Sequence, residues 1–268
     1  MQPQRARLRI REIVFAVALG GVAAGGAGLM LSAMDDDPLA FGARPNQAVA
    51  GPSEMVYELA EFDEISTAGP QRVVVTYGDA FSVRSEGRAQ ALSLLEPTVE
   101  NGILSIGPKS GFNWFQVGRL NGATFFVTMP KLTGITTAGN GSVQVDRIEG
   151  ESFEGTVGGP GEISIAELNV DKADLTVTGS GNFVAGGNVR EARVTVAGSG
   201  KIQAGALRSE AASVTIGGSG EVSLTVQDEA KVAVTGNGDV NIAGPASCTV
   251  TRMGSGEVRC NGVEMEAN

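Results

Sequence analysis

The sequence predicts an all-β protein folded as a parallel β-helix of about seven coils, preceded by one N-terminal transmembrane or signal helix. The main observation is a Gly-x-Gly turn that recurs seven times, with first glycines 20, 20, 19, 20, 18 and 18 residues apart. A period this steady is the signature of a repeat architecture. The turns are Gly139-Asn140-Gly141, Gly159-Pro160-Gly161, Gly179-Ser180-Gly181, Gly198-Ser199-Gly200, Gly218-Ser219-Gly220, Gly236-Asn237-Gly238 and Gly254-Ser255-Gly256.

The second observation is the alternation of apolar and polar residues on both sides of each turn. Residues two and four positions before the first glycine are aliphatic in most copies, as Val177 and Leu175 show. The residue two positions after the second glycine is aliphatic or Phe in every copy. This alternation predicts strand–turn–strand in each repeat. An up-and-down meander would fit the same spacing, but we favour a β-helix of 18–20-residue coils because it stacks like residues on like.

Composition excludes several classes of function. The chain contains no histidine, which removes Ser-His-Asp and Cys-His catalysis and His-based zinc sites. A net charge of −10 argues against a nucleic-acid partner, since nothing supplies a general basic field. Inward positions are aliphatic and outward acids are scattered, so we predict a protein that is not an enzyme and has no cofactor and no metal site.

The N-terminal segment is predicted to direct export. Four arginines lie in the first eleven residues, residues 13–34 carry no charge, and Asp35, Asp36 and Asp37 follow. Such an apolar run covers about 33 Å as a helix, enough to cross a bilayer with the N-terminus inside. A cleaved signal peptide and a buried soluble helix stay open as alternatives. We assign 1–34 to the anchor or signal, 35–56 to a Pro- and Gly-rich linker, and 57–268 to the β-helix domain.

Residues 57–130 lack the glycine turn but still contain strand-like apolar positions, and Asn101-Gly102 is a hairpin-type turn. We expect this part to form an irregular β cap, because the first coil otherwise exposes an unpaired edge. The chain's only tryptophan lies here, in Gly111-Phe112-Asn113-Trp114-Phe115. This stretch is interpreted as part of the cap, with an exposed ligand-contacting tip as the alternative.

Several segments, together with the glycine turns, match a known pattern over residues 57–262. They are Phe62-x-x-Ile65 with Gly69, Val73-x-Val75, the stretch 99–106 and Val127 to Leu132 with its Pro130-x-Leu132. The chain resembles the auto-transporter adhesin head domain family, also called the GIN domain family. Pro160 and Arg252 depart from its pattern. The resemblance implies a right-handed β-helix without catalytic residues, and a role in adhesion at the bacterial envelope.

Two outward columns are candidate sites. Acids directly after the turns (Glu162, Glu221, Asp239 and Glu257) form either a solvated edge or a weak calcium site. Three residues before each turn a threonine recurs, interrupted by Ala233. This ladder is a candidate interaction face for an envelope protein, a glycan, ice or another copy of the chain, although threonine also simply suits exposed strand positions. Its members are Thr136, Thr156, Thr176, Thr195, Thr215 and Thr251.

The two cysteines fall on inward positions on either side of the last turn. Cys248 lies six residues before Gly254, and Cys260 lies six residues after it. An exported protein meets an oxidising compartment, which favours a Cys248–Cys260 disulfide over two free buried thiols. Such a bond would staple the last coil, which has no successor to stack on.

The sequence thus predicts a non-catalytic, adhesin-like envelope protein or interaction scaffold. Its expected location is the periplasmic side of the bacterial envelope, exported or anchored in the inner membrane through the N-terminal helix. The expected partner is an envelope protein or glycan, and a homo-oligomer is a further option. Two other functions stay open: a periplasmic carbohydrate-binding or carbohydrate-active β-helix, and an accessory in envelope signalling.

The export prediction is testable with reporter fusions. A phosphatase that works only in the periplasm should be active when fused to the C-terminus, because the basic flank and apolar run direct an N-in, C-out topology. Removing residues 1–34 should abolish that activity. Activity of a cytoplasm-dependent reporter at the same C-terminus would contradict the prediction.

Overall fold

The computed structural model describes residues 53–265, which form one 17-stranded sheet system with two short helices. The strands are β1 (Ser53–Tyr57), β2 (Glu64–Ala68), β3 (Arg72–Tyr77), β4 (Ser82–Gly87), β5 (Leu95–Glu100), β6 (Ile103–Pro108), β7 (Ala123–Met129), β8 (Gly134–Ala138), β9 (Ser142–Gly158), β10 (Glu162–Gly179), β11 (Asn182–Gly198), β12 (Lys201–Gly218), β13 (Glu221–Gly236), β14 (Asp239–Ala243), β15 (Ser247–Met253), β16 (Val258–Cys260) and β17 (Val263–Glu264). An α-helix, α1 (Ala89–Leu94), and a 3₁₀ segment, η1 (Trp114–Leu120), lie near the start.

Each regular coil has three faces rather than the two predicted. In β10 the buried positions are Ile163 and Ile165, then Leu168 and Val170, then Ala173, Leu175 and Val177. The period of two is broken twice, at 166–167 and at 171–172, where two consecutive residues face solvent. Each break is a corner, so the residues between the two strands predicted beside the turns make a face of their own. We call 162–165, 167–170 and 172–178, with their equivalents in other coils, the first, second and third faces.

The regular part is a β-solenoid of about six turns, not seven. The seven glycine turns enclose six coils, because each coil runs from one turn to the next. After the last turn the chain forms only the three-residue β16 and then reverses into the antiparallel β17. The predicted β-helix class is confirmed, while the right-handed winding stays a prediction.

The core consists of columns of like residues stacked coil on coil, as the sequence register predicts. Val177 pairs with Val157 on one side and Val196 on the other, and Val196 pairs with Ile216. All of these side chains are buried. On the first face, the equivalent column runs through nine strands: Phe125, Val73, Val143, Ile163, Phe183, Ile202, Val222, Val240 and Val258.

The glycine turns stack as closely as the core does. Gly198 has φ +125°, and a Cβ built on it would lie 2.5 Å from the carbonyl oxygen of Gly179 in the coil before. A Cβ on Gly200 would lie 2.4 Å from Cγ1 of Val177. Both turn positions therefore exclude a side chain, the first through backbone conformation and contact, the second through contact with the core.

The predicted N-terminal cap is present, but its strands do not stack in sequence order. β2 and β3 form the layer above β8 and β9, while β6 and β7 lie outside them, paired with β2 and β3 in parallel. Antiparallel β5 and β4 then cover the outer edges of β6 and β7. Leu92 of α1 is buried over the end of the core. The open edge is thus closed with antiparallel pairing and a helix.

The start of the described chain differs from the predicted linker. Residues 53–56, assigned above to the linker, belong to β1, which pairs antiparallel with β4 and satisfies the outer edge of that strand. The rest of the linker and the predicted anchor or signal at 1–34 lie outside the described residues. Within 53–265, neither helix is long or apolar enough to cross a membrane.

The register can be tested with a pair of neighbouring substitutions. Val196→Asp should lower stability by several kcal/mol, because it buries an unpaired charge between Val177 and Ile216. Thr195→Asp is the matched control, since Thr195 points to the opposite side of the same strand. Chemical denaturation of both variants measures the difference, and equal losses of stability would contradict the register.

Candidate interaction face

The threonine ladder stacks in register on the outward side of the third face. Thr156 pairs with Thr136 and Thr176, and Thr195 pairs with Thr176 and Thr215. Ala233 and then Thr251 continue the column, and Ser66 and Ser105 extend it into the cap. The predicted threonines therefore form one hydroxyl column, with a rise of about 4.8 Å per strand.

The exposure of the column changes along the stack. Thr215 and Thr251 are exposed, and Thr176 and Thr195 are half-buried. Thr136 and Thr156, however, retain only 7% and 8% of their surface. The prediction that all six threonines lie on an open surface is wrong for these two, although they do lie on the outward side of their strands. The accessible hydroxyl face therefore comprises Thr176, Thr195, Thr215 and Thr251.

Two further outward columns flank the threonines. The column on the side nearer the turns contains mostly small residues, each paired with the next in the adjacent coil: Thr178, Ala197, Gly217 and Thr235. The last residue of this column is the exposed Met253. On the other side lie charged residues, of which Arg193 donates from Nη1 to Oδ1 of Asp174 at 3.3 Å. The face is therefore flat between a small edge and a charged edge, with hydroxyls in the middle.

The outward acids of the first face form hydrogen bonds or ion pairs with residues of the adjacent coil. Glu162 accepts from Asn182 Nδ2 at 3.2 Å, and Lys201 Nζ lies 2.6 Å from Glu221 Oε2. Asp239 accepts the backbone N–H of Glu257 at 2.8 Å. Within residues 53–265 no group of three or more His, Cys, Asp or Glu is placed to hold a metal ion. The arrangement is that of a solvated, internally paired edge.

A shallow groove on the second face was missed by sequence reasoning. It is lined by Glu167, Asn169, Gly187, Asn188, Ala206 and Arg208. The two asparagines stack in adjacent coils, with Asn188 Nδ2 and its backbone N–H both donating to Oδ1 of Asn169 at 3.3 and 3.2 Å. Gly187, which also lines the groove, pairs with the buried Leu168 and Leu207 of the adjacent coils. Recurrence of Asn one repeat apart was a usable signal, but the second face had not been predicted.

The structure joins Cys248 and Cys260 in a disulfide, with Cα atoms 6.4 Å apart. Cys260 is buried among the core columns, below Ile242, and Cys248 lies below Ala230 on the third face. The bond thus links the third face to the first face in the last coil. It lies beside β17, the antiparallel strand that ends the stack.

The structure defines the class of protein as an all-β β-solenoid with an apolar interior and an accessible hydroxyl column on one face. The chain belongs to the family described as "Putative auto-transporter adhesin, head GIN domain", whose model matches residues 61–246. The resemblance given above is therefore confirmed. Family membership associates the chain with adhesion and with the cell exterior or envelope.

Solved structures share the fold. A putative adhesin from Bacteroides fragilis has a TM-score of 0.71 at 20% identity, covering 78% of this chain and 96% of its own. A putative lipid binding protein from Parabacteroides distasonis has a TM-score of 0.62 at 22% identity, with coverages of 78% and 96%. A putative adhesin from Parabacteroides merdae has a TM-score of 0.60 at 16% identity, with 78% and 95% covered. None of the curated proteins compared with the chain matches it.

The disulfide predicts a measurable difference in the exported protein. Alkylation without reduction, followed by mass spectrometry, should find a Cys248–Cys260 cross-linked peptide and no alkylated cysteine. Removing the bond with Cys248→Ala and Cys260→Ala should lower stability by roughly 2–3 kcal/mol, since the bond closes a short loop in the unfolded chain. Two alkylated cysteines in the untreated protein would contradict the bond.

Proposed function

We propose that this protein is a non-catalytic, exported envelope protein whose solenoid is an adhesin-like scaffold for binding another macromolecule. The observation that carries the proposal is the hydroxyl face: Thr176, Thr195, Thr215 and Thr251 lie in one in-register column that only Ala233 interrupts. The small residues beside them leave the backbone open to close approach. A flat, repetitive surface of this kind suits a partner that is itself extended or repetitive.

The absence of catalysis is part of the proposal and is supported by the side chains. The inward positions of the coils are mostly apolar, with few hydroxyl exceptions such as the buried Ser209. Several outward charges are paired along the stack, for example Arg147 with Glu167 and Arg190 with Asp171. The family description, an adhesin head, points the same way. Export through the N-terminal segment completes the proposal, because an adhesin must reach the envelope.

A carbohydrate-binding role is the second candidate, and the groove of the second face favours it. Asn169 and Asn188 supply amide donors and acceptors, while Glu167 and Arg208 add a carboxylate and a guanidinium at its rim. Asp171 and Arg190 lie at the neighbouring corner between the second and third faces. Mixed donors and acceptors of this kind match the hydroxyl groups of a sugar. In this case the groove, not the hydroxyl face, would carry the binding.

The two candidates can be separated with charge-bearing substitutions. Residues 51–268 are used as bait against intact envelopes, and the same protein is applied to a glycan array. Thr195→Arg with Thr215→Arg should weaken partner capture at least about tenfold, because two long charged side chains would stand on the flat face. Gln203→Arg is the matched control, since Gln203 is exposed on the first face of the same strand as Thr215.

The outcomes differ for each candidate. If Asn188→Arg abolishes glycan binding while the double threonine variant keeps it, the carbohydrate role replaces the scaffold role. If Gln203→Arg weakens capture as much as the double variant, the hydroxyl face is not the binding surface. Unchanged melting temperatures confirm that each variant is folded.

A further inference from the structure

One corner of the outermost coil is occupied by an extended loop instead of a short turn. β2 and β3 are joined through Gly69-Pro70-Gln71 at the corner where the glycine turns stack. β6 pairs with β2, and β7 pairs with β3, so the connection between β6 and β7 occupies the same corner one layer further out. That connection is residues 109–122 and contains η1. We call it the corner loop.

The corner loop holds an apolar side chain in solvent on a structured base. Leu120 is fully buried, and Phe112 packs against the core. At the tip, Asn113 Oδ1 accepts the backbone N–H of Phe115 at 3.1 Å, and its carbonyl accepts that of Gln116 at 2.9 Å. Phe115 itself is 100% exposed, and Val117 is 39% exposed. An apolar tip on an ordered base is a feature of a surface that binds something apolar.

The charges within the corner loop are positive, in contrast with the net negative charge of the chain. Lys109 and Arg119 are exposed within it, and the exposed Arg88 donates from Nε to the carbonyl of Asn121 at 3.1 Å. None of these three cations forms an ion pair among the described residues. The sequence contains no Asp or Glu from residue 101 to residue 145, although the chain carries a net charge of −10. Within the corner loop itself, the charged residues are therefore cations only.

The corner loop lies at the end of the stack where the described chain begins. β1 pairs with β4, and β4 pairs with β7, the strand that follows the loop. The described chain therefore begins at the end of the stack that carries the corner loop. Residues 13–34, which precede it in the sequence, are the uncharged run predicted to cross a membrane. Of the two ends of the stack, the cap is the nearer along the sequence to that predicted segment.

The geometry points to the corner loop as a membrane-docking element, with the apolar tip in the interfacial region of an anionic bilayer and Arg88, Lys109 and Arg119 against headgroup phosphates. Aromatic side chains prefer the membrane interface, and clustered cations are attracted to anionic lipid. A loop that carries cations and no acid beside an apolar tip matches an anionic lipid surface. This contact goes beyond the function proposed above and does not depend on which partner binds the hydroxyl face.

Trp114, the only tryptophan of the chain, makes the loop directly measurable. The full chain is reconstituted in vesicles of phosphatidylglycerol or of phosphatidylcholine, each with brominated acyl chains, which quench tryptophan on contact. We expect strong quenching in phosphatidylglycerol and weak quenching in phosphatidylcholine. Phe115→Ser should lower the insertion equilibrium about tenfold or more, because it removes the exposed aromatic ring. Lys109→Gln with Arg119→Gln should reduce quenching in phosphatidylglycerol alone.

Met253→Ser is the matched control, because Met253 is an exposed apolar residue on the last strand of the third face. It should leave the quenching unchanged. Vesicle-bound protein whose Trp114 is not quenched would overturn the inference. Equal quenching in phosphatidylglycerol and phosphatidylcholine would also overturn it, as would quenching of Phe115→Ser as strong as that of the unchanged protein. Protection of Trp114 from both bromolipid and aqueous iodide would also overturn it, since the loop would then lie in a protein interface. Because this readout is local to the loop, it is independent of partner capture by the hydroxyl face.

Discussion

The close contact between stacked glycine turns is the constraint on which the rest of the solenoid depends. At Gly218 and Gly236 a Cβ would lie 2.4 Å from the carbonyl oxygen of the equivalent glycine in the preceding coil. No side chain fits there, so the equivalent position in each successive coil must also be glycine. This contact aligns the strand before each turn and the strand after it with the equivalent strands of the preceding coil. Parallel pairing then maintains the same register along the third and first faces. The aliphatic columns and the threonine column are consequences of that alignment.

Because one corner is fixed, differences in coil length must be absorbed elsewhere. Three register shifts lie at the corner between the first and second faces: between Ile165 and Leu168, between Val184 and Gly186, and between Ala204 and Arg208. A fourth, between Ser209 and Ala211, lies at the corner between the second and third faces. The second face is therefore the irregular one, and the groove beside Gly187 lies on it. Regular and irregular faces offer different chemistry: the third face repeats one hydroxyl per coil, whereas the second combines amides, carboxylates and guanidinium groups.

The repeated features of the coils could be predicted from the sequence, whereas the features that occur once, such as the arrangement of the cap, could not. Inward and outward positions beside each turn follow from a period of two, so the core columns and the threonine register were accessible. The second face was not, because the period breaks at two corners and Leu168 falls out of phase with Ile165. The placement of β2 and β3 beneath β6 and β7 depends on pairing between distant segments, which no local pattern records. The burial of Thr136 and Thr156 likewise depends on tertiary context.

The two ends of the stack are closed by different structural elements and are therefore not equivalent. The cap uses antiparallel strands and α1, whereas the last coil uses β17 and the disulfide. From β6 to β15 the third face contains nine stacked strands, which corresponds to roughly 38 Å at the usual strand spacing. The accessible threonines begin at β10, roughly 19 Å from β6, and reach the far end. A membrane at the cap would therefore leave the accessible part of the hydroxyl face on the half of the stack that extends away from the bilayer.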